Sequence, residues 1–176
     1  AGQSSHVYTI AAPREFFAAW LATRLTAFRA QNPQVRFVIV DGEMTDFTEA
    51  NLDLAVRWTE GPGELEGIAL GTSEHVTVGE GDWIGWPGDP APDEGSEEPP
   101  AIVVGDAGQA ISAAMSGLGK ARVPLLLAQE MQRAGHINAM ATPESCRRGY
   151  WLVAPTPQWR QKKVRELVAV LTGAPE

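Results

Sequence analysis

The chain is short of several things, and each shortage narrows what it does. Its one cysteine, Cys146, has no partner for an intrachain disulfide, which fits a reducing compartment. No apolar run approaches the roughly 20 residues that span a bilayer. The first residues, Ala1-Gly2-Gln3-Ser4-Ser5-His6, lack the charged-then-apolar order of a secretion signal, so a cytoplasmic protein with no membrane contact is expected. Basic residues are outnumbered, 14 Lys plus Arg against 22 Asp plus Glu, for a net charge of −8. A surface of that sign grips neither nucleic-acid phosphates nor anionic lipid. The shortage is local. From Glu74 to Glu98 there are eight acids and no Lys or Arg, and removing those eight leaves 14 acids against 14 bases elsewhere.

Catalytic signatures are missing too. His6, His75, His136 and Cys146 lie far apart without metal-ligand spacing, so no metal and no other cofactor is expected. Gly117-Leu118-Gly119-Lys120 is followed by Ala121 where a phosphate loop needs Ser or Thr. Ser116, in Ala-Met-Ser-Gly-Leu, is not a nucleophile elbow. Cys146 has no histidine near it in sequence to activate it. Nothing points to an enzyme.

What is present is a globular chain, 44% hydrophobic and 20% charged over 176 residues, enough for one domain or two small lobes. Val7–Ile10 reads as a strand, and apolar residues at helical spacing from Pro13 to Gln31 read as a helix stopped by Asn32-Pro33. Val35–Val40 is a second strand, apolar enough to be covered on both faces. A polar helical turn over 45–50 leads to a third strand, Leu52–Trp58. This β-α-β-α-β order predicts a parallel sheet between helices. Ile68–Leu70 and His75–Val78 are extended, and Gly79–Pro100, with five Pro and five Gly, is mostly loop. Trp83 and Trp86 in that loop serve either as a binding platform or as anchors to the body. A strand Ala101–Val104, helices from Asp106 and from Pro124, a strand Tyr150–Val153 and a helix Pro157–Thr172 complete the chain.

In an open α/β sheet, anions bind where strands hand over to helix N-termini. Two corners qualify: Ala11-Ala12-Pro13-Arg14 and Gly105-Asp106-Ala107-Gly108.

These segments resemble a known family. Ile10-Ala11-Ala12-Pro13, then Phe16-Phe17-Ala18-Ala19-Trp20-Leu21, Arg24-Leu25, Phe28 and Asn32-Pro33, looks like the start of the effector-binding domain of LysR-type transcriptional regulators. Leu52–Trp58 is similar to that family's third strand, especially in the glycine-cleavage-activator branch. Ala113-Ala114-Met115-Ser116-Gly117-Leu118-Gly119 resembles its second-lobe helix and turn, and Gly149–Pro155 its closing strand. The matches fall in family order across roughly residues 7–172.

The resemblance implies an α/β fold of two Rossmann-like lobes joined by two crossovers, like type 2 periplasmic binding proteins. Lobe I takes residues 1–71 plus 146–176, and lobe II, which is shortened, takes 72–145. It implies a small-molecule effector in the interlobe cleft, homodimers (with higher oligomers in a full-length form) and DNA contact only through an N-terminal winged helix-turn-helix outside these residues. The apolar Phe16/Trp20 side of the first helix is a candidate dimer contact or simply core. The expected ligand residues are Ala12, Pro13, Arg14, Thr59 and Tyr150 from lobe I and Asp106, Ala107 and Arg122 from lobe II. Two departures stand out: Ala12-Pro13-Arg14 replaces the family's frequent Ser or Thr, and the acidic loop replaces a Ser-Pro and helix after Val78. The runner-up is a solute-binding protein of a transport system.

Overall fold

The computed structural model describes residues 6–42, 46–91 and 99–173. Thr45 of the expected polar turn and Asp93, Glu94, Glu97 and Glu98 of the acidic stretch lie outside them. The elements run β1 (Val7–Ala12), α1 (Arg14–Phe16), a π-helical turn (Phe17–Leu21), α2 (Ala22–Gln31), β2 (Arg36–Asp41), β3 (Leu54–Thr59) and β4 (Glu66–Leu70). Then follow β5 (Glu74–Gly79), β6 (Ile84–Gly85), β7 (Ile102–Val103), α3 (Ala107–Met115), β8 (Lys120–Pro124), α4 (Leu125–Arg133) and β9 (Glu144–Ser145). The chain closes with β10 (Gly149–Ala154), α5 (Thr156–Trp159) and α6 (Lys162–Thr172). It divides into two compact units, Ala1–Leu70 with Tyr150–Glu176, and Gly71–Gly149.

The first unit is built on a five-stranded sheet in the order β2-β1-β3-β10-β4. β1 pairs in parallel with β2, from Val7↔Arg36 to Ala12↔Asp41, and with β3. β10 runs antiparallel to β4. The long first helix forms as its apolar spacing predicts, with one irregularity. Ala22 N–H bonds back five residues to Phe17 O, and this widened turn seats Trp20 and Leu21 in the core. Arg24 stabilises it twice: its guanidinium lies 3.9 Å over the Trp20 ring, and its Nη1 donates to Trp20 O at 2.8 Å. Phe16 and Trp20 are both buried, so their side is core and not a free contact surface.

β2 corrects an expectation. Its apolar run predicts cover on both faces, yet it is an edge strand, and Val38 is 46% exposed. The pleat explains this: Phe37 turns inward to stack on Tyr8, which sends Val38 to the other side. Tyr8 also fastens the last helix. Its hydroxyl donates to Lys163 O at 2.7 Å, while Lys163 Nζ donates to Val7 O and pairs with Asp53 at 3.1 Å. Burial, with Glu166 and Asp53 beside it, pushes the Tyr8 phenol well above its ordinary pKa. The last helix is two pieces, broken at Arg160–Gln161; α6 buries Val164, Leu167 and Leu171 and ends at Gly173, whose φ of 69° is the left-handed cap.

The second unit holds a β8-β5-β9 sheet and a β6-β7 pair, linked by a bridge between Trp83 and Lys120. Here three strands depart from expectation. β6 forms inside the stretch read as mostly loop, pairing in parallel with a β7 that is only Ile102–Val103. β8 and β9 have no counterpart in the sequence reading. β8 alternates cations with apolar residues, and its Lys120 and Arg122 share a face that lies on Trp83, 4.5 and 3.5 Å from the ring centre. Close packing fixes Gly119 and Gly79. A Cβ on either would come within 2.3 Å of a backbone oxygen, that of Asp82 or of Gly119, and Gly79 also has φ +81°.

Candidate functional site

The first corner forms where β1 hands over to the long helix. Pro13 is the N-cap, with φ −57° and ψ 138°, and offers no side-chain cap. Its ring presets the backbone but supplies no N–H. Ala12 is buried and Arg14 exposed at the first helical position. Gly42 backs the corner so closely that a Cβ there would lie 2.6 Å from Pro13 N. Phe16, one turn on, stacks against Tyr150 at 4.3 Å, and Tyr150 meets Trp58 at 5.1 Å. Thr59 follows Trp58 as the half-buried last residue of β3. Within the first unit, Ala12 ends β1, Pro13 and Arg14 open the helix that follows it, Thr59 ends β3, and Tyr150 lies against Phe16 and Trp58. Tyr150 is almost fully buried.

The second corner precedes α3. Asp106 is extended, with φ −161° and ψ 173°, and its carboxylate accepts from Gln109 N at 2.7 Å. Gln109 Oε1 in turn accepts from Gly105 N at 2.7 Å, a reciprocal arrangement close to a capping box. Ala107 is buried at the start of the helix. Arg122 is only 6% exposed. Its guanidinium carbon lies over the Trp83 ring, 3.5 Å from the centre, with Asp89 Oδ1 at 4.0 Å, and Trp86 Nε1 donates to its carbonyl at 2.8 Å. Between the two roles open to Trp83 and Trp86, this geometry is that of anchors.

Sequence reasoning passed over Arg57. It sits half-buried in β3, with the Phe47 ring 5.7 Å away, and burial lowers its pKa from the ordinary arginine value. The available signal was a cation inside an otherwise apolar strand. Among the described residues, no group of three or more His, Cys, Asp or Glu is placed to hold a metal ion. No helix among them is long and apolar enough to cross a membrane.

No protein-family model matches the chain, and no curated protein sequence matches it. Solved structures do. The effector domain of the transcriptional regulator AmpR of Pseudomonas aeruginosa superimposes with a TM-score of 0.78 at 19% identity, over 96% of this chain and 94% of that one. The regulatory domain of MexT, a transcriptional activator in Pseudomonas aeruginosa, gives 0.74 at 15% identity, over 99% and 100%. The regulatory domain of CrgA, a LysR-type transcriptional regulator from Neisseria meningitidis, gives 0.68 at 14% identity and 98% of both chains. What is shared at these identities is the fold, and it is the α/β, type 2 periplasmic-binding-protein-like fold. The LysR-type family is also the one that the sequence motifs resemble.

Proposed function

We propose that this chain is the effector-sensing and dimerisation domain of a LysR-type transcriptional regulator, not an enzyme. The observation that carries the reading is the end-to-end correspondence of fold with regulatory domains of transcriptional regulators, over nearly all of this chain and nearly all of theirs. Four sequence motifs in family order point the same way. These neighbours favour a regulator over a solute-binding protein. The division into two lobes, each ending strands at a helix N-terminus, suits a small anionic metabolite.

The proposed effector contacts are Ala12, Pro13, Arg14, Thr59 and Tyr150 on the first unit and Asp106, Ala107 and Arg122 on the second. Arg122 acts there through its stack on Trp83 rather than as a loose cation. Effector binding shifts the population of arrangements that the domain adopts, and a cytoplasmic DNA-binding module fused to it reads that shift. Exposed Val38 in the first unit and Met115 and Leu118 in the second supply apolar surface for self-association.

A thermal-shift screen against amino acids and small carboxylates tests this. A true effector at a hundred times its dissociation constant stabilises the fold by about 2.7 kcal/mol. Failure of every such compound to raise the melting temperature, in a protein that also sediments as a monomer, sinks the reading.

A further inference from the structure

The two stretches of chain that flank the passages between the units, 72–77 and 141–149, run side by side inside the second unit. Glu74 pairs with Ser145 and His75 with Glu144. Cys146 N donates to Ser73 O at 3.0 Å, and Ala141 N donates to Thr77 O. β9 is only Glu144–Ser145, and β5 is the one strand it pairs with in its sheet. So short a strand has little to hold it beyond these bonds and the side chains beside them.

His75 is the side chain at that seam, and it is 6% exposed. Its Nε2 lies 3.5 Å from Glu144 Oε2, on a side chain that is 72% exposed. Its Nδ1 is sealed from solvent and has no hydrogen-bond partner among the described residues. A neutral imidazole tolerates this position, because Nδ1 is then only an unmet acceptor. A protonated one does not, because it buries a charge and an unmatched N–H together.

We propose that His75 and Glu144 form an acid-released clasp: the neutral imidazole keeps β9 on β5, and protonation of His75 frees the strand that returns the chain to the first unit.

The surroundings favour release over a tightened ion pair. On β8, Arg122 opposes a second positive charge. Glu144 favours it, but from a side chain 72% exposed, where solvent screens the pair. Glu74, the neighbour on β5, accepts a hydrogen bond from Thr72. α3 carries no charged residue, and α4 only Glu130 and Arg133, which pair with each other at 2.7 Å. Burial is the largest influence and lowers the His75 pKa from its ordinary 6.5, with Glu144 pulling the other way and Arg122 adding to the fall. A histidine whose folded pKa is depressed contributes stability that is complete above 6.5 and disappears as the pH falls towards the folded value.

Nuclear magnetic resonance on the whole chain between pH 5 and 8 tests the clasp. The His75 ring is expected to titrate below 6.5. The Cys146 amide is expected to lose hydrogen-exchange protection as the pH falls from 6.5 to that midpoint, by up to about tenfold per pH unit, and to level off below it, while the Leu167 amide in α6 keeps its protection. His75→Gln, which cannot titrate, removes the step. Glu144→Gln, which leaves the buried ring in place, moves the midpoint further down and serves if the first variant does not fold. A midpoint at or above 6.5, Cys146 protection that stays flat through the titration, or a step that survives in His75→Gln overturns the proposal.

Discussion

At Pro13 a helix begins with no side-chain cap, an exposed arginine and a glycine pressed against its back. At Asp106 a helix begins with its cap built in, since Asp106 and Gln109 satisfy Gln109 N and Gly105 N between them. The two corners do the same topological task. They differ in what they leave over. The second corner spends its polar side chains on itself, whereas the first leaves Arg14 exposed at its N-terminus. The same contrast runs through the cations: Arg14 stands in solvent, while Arg122 is laid on Trp83 beside Asp89. A ligand approaching the first corner meets exposed charge; at the second it meets chemistry already engaged within the chain.

The comparison breaks most visibly at the packing beneath the first corner. Phe16, stacked between Trp20 and Tyr150, supports both the corner and the start of β10. Phe16→Ala is expected to cost about 3–5 kcal/mol in chemical denaturation. A loss under about 1 kcal/mol shows that the corner is held by something else. Asp106→Ala removes the cap of α3 and is expected to cost about 1 kcal/mol, with the loss appearing in the exchange of the Gln109 amide. Arg14→Ala sharpens the contrast because it touches only surface: stability stays within about 0.5 kcal/mol. Its effect is kept for effector affinity, which calorimetry with a hit from the thermal-shift screen measures directly. Unchanged affinity in Arg14→Ala removes the first corner from the proposed site.

The parts of the fold that were legible in the sequence are those in which local pattern and tertiary demand agree. The helix over 13–31 shows its apolar spacing and its Asn32-Pro33 stop, and Asp106 shows its cap. β8 was not legible because Lys120 and Arg122 interrupt its apolar pattern, and only the ring of Trp83 makes two cations acceptable on one face of a strand. β2 was misread for the converse reason: an apolar run reports hydrophobicity but not whether a second neighbour lies alongside. The π turn is invisible for a related reason, since Phe17–Leu21 has ordinary helical composition and is widened by the need to bury both Trp20 and Leu21. Of the proposed site, the corners were readable from turn chemistry. That Arg122 is engaged and Arg57 desolvated was not.

The sequence by itself determined the α/β order, the two strand-to-helix corners and the confinement of the net negative charge to the stretch from Glu74 to Glu98, because these depend on residue type and near neighbours. Only the tertiary structure decided that Trp83 and Trp86 lie against Lys120 and Arg122 of β8, that Phe16 and Trp20 are core, and that His75 meets Glu144 across β5 and β9. Those pairings bring together residues between 36 and 134 positions apart, from Trp86 with Arg122 to Phe16 with Tyr150. Which distant residues meet is set by how the sheets register and pack, and that is not encoded in the spacing of any one segment.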